Sequence, residues 1–335
     1  MLLNPAILAL LGVSIVVTGL LLMAAAFAWR ILRHWDIRSG SERQLRLERR
    51  TYLISTVLVF VLAAELLSAL LFVYTAEALS DQFVGAMCAT GVLNINPWGW
   101  PTLLLKITLF FAGTAWLALN RLDNHGRDYP LVRPKYRLVL ALLPLAALDA
   151  LAQATFFLQL DPDVITSCCG SLFTPQGQGV ASELAGLPPR TAALGLFGSG
   201  AAVLLAGGIF LRYRRGGPLF ALLGLVAFAF ALAGVIAYLS PYVYEHPHHH
   251  CPFCLLKAGH GYVGYWLYLP LFGAAGLALA AGVTAPWGGI ASLKEAAARL
   301  ATRYTQTSMI AFGLFYALSA WVVYNSNLTM RGVWW

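Results

Sequence analysis

The chain has 335 residues, of which 59% are hydrophobic and only 11% charged, against about a quarter charged in soluble globular proteins. Its formal net charge is +8 and its mean hydropathy +0.72. These values exclude an ordinary soluble enzyme or a nucleic-acid-binding domain. They point to a polytopic membrane protein whose partner is the lipid bilayer and whose basic residues belong on cytoplasmic loops.

Taken in order, apolar runs predict eight membrane-spanning helices. The first covers about Pro5 to Trp29 and has no basic residue before it, so it reads as a retained span with its N-terminus outside. A basic stretch from Arg30 to Arg50 follows, then span two to Ala78. An outer loop, 79–101, carries Cys88 and the turn-rich Asn94-Ile95-Asn96-Pro97. Spans three (Thr102–Asn120) and four (Leu138–Leu160) flank a second basic segment. The longest polar loop, 161–190, contains Cys168 and Cys169. Spans five (ending at Leu211) and six (Pro218–Tyr242) lead to the loop 243–261. Spans seven (Tyr262–Val283) and eight (Gln306–Tyr324) complete a single helical domain, 1–335.

The loops after the odd-numbered spans hold eighteen Lys and Arg, and the opposite side holds four: Lys106, Arg190, Lys257 and Arg331. Positive charge marks the cytoplasmic side, so both termini are expected outside and the protein in a bacterial inner (cytoplasmic) membrane. All five cysteines then fall on the outer, oxidising side. That distribution suits disulfide, redox or soft-metal chemistry.

The densest chemistry lies in the third outer loop, where residues 246–254 hold four histidines and two cysteines. Cys251-Pro252-Phe253-Cys254 is a C-x-x-C pair, able to close a disulfide or grip one metal. Pro252 suits the first position of a helix, which places Cys251 at a helix N-terminus where thiolates are favoured. Lys257 adds positive charge nearby. Imidazole and thiolate together suit copper or zinc, so His246, His248, His249, His250 and His260 join Cys251 and Cys254 as candidate ligands. Cys168 and Cys169 form a second candidate redox pair, and Cys88 is a candidate partner for either of them.

A C-x-x-C at the outer end of a membrane helix, with a basic residue soon after, resembles the membrane thiol–quinone oxidoreductases of the disulfide-bond formation protein B and vitamin K epoxide reductase type. The resemblance covers the dozen residues around Cys251 and Cys254. It implies that this pair exchanges electrons with a quinone. It also implies that a second pair, here Cys168 and Cys169, relays them to a periplasmic redox partner.

Glu65 and Asp149 lie inside predicted spans, where ionisable groups are costly and default to functional roles; both are candidates for a proton relay. Walker and dinucleotide-binding patterns are absent from the sequence. The leading reading is thiol–disulfide or electron transfer at the periplasmic face. The alternative is a copper- or zinc-binding membrane protein, working with a metal-carrier protein or as a subunit of a larger membrane complex.

Overall fold

The computed structural model describes residues 3–166 and 180–330, so Cys168 and Cys169 lie outside the described residues. Among those described there is no strand, and eight helices are long and apolar enough to cross a membrane. The protein is therefore an all-α, multi-pass membrane protein, as the hydropathy predicts.

In chain order the α-helices are α1 (Pro5–His34), α2 (Glu42–Leu79), the short α3 (Ala89–Leu93), α4 (Gly99–Asp123), α5 (Val132–Leu158), α6 (Val180–Ala185), α7 (Pro189–Tyr213), α8 (Gly217–Gly234), α9 (Ser240–Tyr244), α10 (Val263–Thr284) and α11 (Lys294–Asn325). Their starts follow from local chemistry. The Asn4 side chain accepts from the Ala6 amide at 2.9 Å, and Pro5 opens α1 where a missing N–H does no harm. Proline sits in the first turn of α7 and α8 as well. Large apolar side chains stand 65–73% exposed on these helices, among them Ile15, Leu67, Leu205 and Ile310. Such exposure suits lipid and would be a liability in water.

The chain divides into two compact units: Met1–Thr75, Asn96–Leu160 and Val283–Leu300 form the first, and Ala76–Ile95, Asp161–Gly282 and Ala301–Trp335 the second. In the first unit α5 packs against both α1 and α4. Its core gathers Phe27, Leu62, Leu109, Trp116 and Tyr136. The Phe27 and Tyr136 rings meet edge-on at 5.6 Å, and the Tyr136 hydroxyl reaches the Thr51 carbonyl at 3.4 Å. Two lysines that the sequence assigns to loops or helix ends are buried in this unit. Lys106 lies within α4 and Lys135 within α5, at 1% exposure each. Setting both aside leaves the predicted charge asymmetry in place, with one lysine removed from each side.

The second unit is built on close helix approach at small residues. A Cβ on Gly224 of α8 would stand 2.6 Å from Ala278 of α10, and one on Gly234 would stand 2.9 Å from Leu196 of α7. Small residues give transmembrane helices the contact that hydrophobicity alone cannot supply inside lipid. Below Gly234 the helix changes pitch. Val235–Leu239 is a π-turn in which the Ser240 amide bonds back to the Val235 carbonyl, five residues earlier. The Ile236 carbonyl, which an α-helix would have used for that amide, is released.

Candidate functional site

Two segments of the second unit bring three sulfurs together. The first runs from the end of α2 into α3. Cys88 stands at the N-cap of α3, and the next amide, Ala89, donates to Glu77 Oε2 at 2.8 Å. The second is the C-x-x-C loop. It is not the start of an α-helix, as Pro252 leads one to expect. Instead Leu256 N–H bonds to Phe253 O at 2.9 Å in a single 3-10 turn over Cys254–Leu256, and the next membrane helix begins only at Val263. Two tyrosine hydroxyls hold this loop by its backbone: Tyr244 donates to the Cys251 carbonyl at 2.5 Å and Tyr268 to the Pro252 carbonyl at 2.8 Å.

The result is a buried sulfur cluster. Cys88 Sγ and Cys251 Sγ are 3.4 Å apart, although 163 residues separate them in sequence. The sulfurs of Cys88, Cys251 and Cys254 all lie within 4.8 Å of one another. Exposure is 0%, 0% and 6% respectively. The Thr90 hydroxyl stands 3.2 Å from Cys251 Sγ. A separation of 3.4 Å is thiol contact rather than the ~2.05 Å of a disulfide.

Lys257, three residues after Cys254, forms ion pairs with acidic residues at and just past the end of α2. Its ammonium pairs with Glu77 at 3.4 Å and, more loosely, with Asp81 at 4.0 Å. Glu77 thus holds the Cys88 segment through Ala89 and the C-x-x-C loop through Lys257. The cluster is positioned by the last turns of α2.

The histidines make contacts of a different kind. His250 is buried, and its Nδ1 lies 3.0 Å from the Ile236 carbonyl that the π-turn releases. A carbonyl can only accept, so Nδ1 carries the proton. Burial pushes the His250 imidazole below its ordinary pKa, with the Ile236 bond acting in the opposite direction. His249 and His260 both pack on the Tyr244 ring, at centroid distances of 4.0 and 4.5 Å. Burial, with His249 nearby, lowers the pKa of His260 as well. His246 and His248 are exposed, and His248 N–H meets His246 Nδ1 at 3.3 Å. Among the described residues, the group able to hold one metal ion contains the three cysteines and none of these five histidines.

Glu65 and Asp149 are brought together in the first unit by Lys106, which no sequence pattern pairs with them. The ammonium contacts Asp149 Oδ2 at 3.0 Å, Glu65 Oε1 at 3.3 Å and Ser68 Oγ at 3.0 Å. Cys88 was missed as the neighbour of Cys251 for a similar reason: no periodicity links positions so far apart. The one available signal is that both lie in loops on the same predicted side of the membrane.

Comparison of the chain with protein-family models, curated proteins and solved structures finds no match.

Proposed function

We propose that the protein is a thiol–disulfide electron-transfer protein of a bacterial inner membrane, working at the outer face through Cys88, Cys251 and Cys254. The observation that carries this reading is the 3.4 Å contact between Cys88 Sγ and Cys251 Sγ beside the C-x-x-C partner. Two thiols in contact lose two protons and two electrons as their disulfide forms. The third thiol, once deprotonated, attacks that disulfide and moves it by one sulfur, releasing another thiolate. The acceptor class is a membrane quinone, which takes up both electrons and both protons to become a quinol. Burial of the cluster favours an acceptor that arrives through lipid over a bulky protein disulfide.

A second reading rests on the same three sulfurs. At the ~2.3 Å of a metal–thiolate bond, sulfurs sharing a tetrahedral ion stand about 3.8 Å apart. Three sulfurs within 4.8 Å fit that spacing, and an all-thiolate set without imidazole suits a soft ion such as Cu(I).

The experiment is a count of alkylatable thiols on purified protein before and after reductant, with metal assayed on the same sample. The redox reading expects two more thiols after reduction and no stoichiometric ion. One ion per chain, with thiols released by a chelator and never by reductant, replaces it with the metal reading.

The buried cysteines are poor reporters of orientation. Exposed positions serve instead, and Asp163→Cys in the second outer loop should react with an impermeant maleimide on whole cells. Ser41→Cys, between α1 and α2, should react only after lysis. The opposite pattern overturns the outward placement of the site.

A further inference from the structure

The lysine shared by Glu65 and Asp149 is fully committed. An ammonium has three N–H donors, and Lys106 spends them on Glu65 Oε1, Ser68 Oγ and Asp149 Oδ2. Asp149 Oδ1 is buried and has no hydrogen-bond partner. One turn further along α5, Gln153 Oε1 is buried and equally without a partner. The Gln153 amide cannot be turned round to relieve this. Its nitrogen already donates to the Leu10 carbonyl at 3.1 Å and to Ser14 Oγ at 2.8 Å. Two acceptors therefore sit at neighbouring i, i+4 positions of one helix without a donor between them.

The charges point the same way. With both carboxylates ionised, the cluster would carry a net single negative charge, because Lys106 is the only cation in ion-pair reach of either group among the described residues. α1, which supplies Leu10 and Ser14, has no charged side chain between Pro5 and Trp29. α2 contributes Glu65 and Ser68, α4 contributes Lys106, and α5 contributes Asp149 and Gln153. An uncompensated charge in the hydrocarbon layer is strongly disfavoured, and one proton removes it.

We propose that this cluster is a proton-binding site, holding one exchangeable proton on Asp149 Oδ1, which supplies the donor that the two acceptors lack. Glu65 and Lys106 remain an ion pair beside it. Lys106 lies seven residues into α4 and Asp149 nine residues before the end of α5, so the site is about 10–14 Å along the helices from those ends. The proposal concerns the first unit alone and stands whether or not the sulfur cluster is a redox site.

The test is infrared difference spectroscopy of the purified protein at neutral pH. Wild type should show the C=O stretch of one protonated carboxylic acid, shifted on transfer to D2O. Asp149→Asn removes the band directly. Glu65→Gln should also remove it, because Asp149 is then the sole partner of Lys106 and ionises. Lys106→Met should double it, since both acids then shed their charge. Should Lys106→Met fail to fold, the two carboxamide variants and the D2O shift still decide. A wild type without the band, or a band that survives both carboxamide variants, overturns the proposal. A band indifferent to D2O reveals a sealed structural proton and overturns its exchangeability.

Discussion

Cys88→Ser is expected to abolish an oxidative cross-link that joins distant parts of the chain. In wild type, mild oxidation should connect the peptide containing Cys88 to the one containing Cys251, because those sulfurs already touch at 3.4 Å. Proteolysis between them, followed by electrophoresis without reductant, reads the link directly. Cys251→Ser should lose it as well, while Cys254→Ser should retain it. The serine at position 251 keeps a hydrogen-bond partner in Thr90, so the variant should remain folded, with a loss of about 1 kcal/mol. If wild type forms only the Cys251–Cys254 bridge under every oxidant tried, Cys88 is a bystander. The three-sulfur reading then fails.

The second large effect concerns stability. Asp123 is fully buried at the end of α4 and uses both carboxylate oxygens: Oδ2 takes the Lys135 ammonium at 2.8 Å, and Oδ1 takes the Leu131 amide at 2.9 Å. Asn120 Oδ1 accepts from the same ammonium at 3.1 Å. The pair joins the end of α4 to the start of α5, and Asp123 also fixes the intervening turn. Asp123→Ala strands a buried cation and a backbone N–H, and removal of one member of such a pair costs about 3–5 kcal/mol. Thermal unfolding in detergent should fall accordingly. The double variant Asp123→Ala/Lys135→Met should recover most of the loss, because no charge is left stranded. A change within about 0.5 kcal/mol for Asp123→Ala, the range of an ordinary surface substitution, would show the pair to be without structural weight.

The sequence was informative where physics acts locally. Hydropathy over twenty residues counts the spans because each span must satisfy its own backbone in lipid. The C-x-x-C pair is visible because its members are three residues apart. Contacts made by folding were not visible. Cys88 meets Cys251 only once α2 and the third outer loop converge on Glu77. Lys106 reads as a helix end because it is a lone lysine near the start of a hydrophobic run, and Lys135 reads as a loop residue because it lies in a basic segment. Their acidic partners on other turns and helices are what allow burial. The histidine run is dense in sequence, but its members part in the fold. Adjacent residues point in different directions: His250 meets the Ile236 carbonyl, while His249 and His260 pack on the Tyr244 ring.

The π-turn at Val235–Leu239 fixes more than one hydrogen bond. A π-turn is an α-helix with one residue too many, and each residue in a regular helix advances the side chains by about 100°. Tyr244 follows that extra residue within the same rod, and its hydroxyl reaches the Cys251 carbonyl only at the phase the insertion sets. A homologue lacking one residue there would turn Tyr244 more than a quarter of the way round the helix. It would also take back the Ile236 carbonyl that His250 now uses. Chain length between Gly234 and Ser240 is therefore part of the sulfur site's specification.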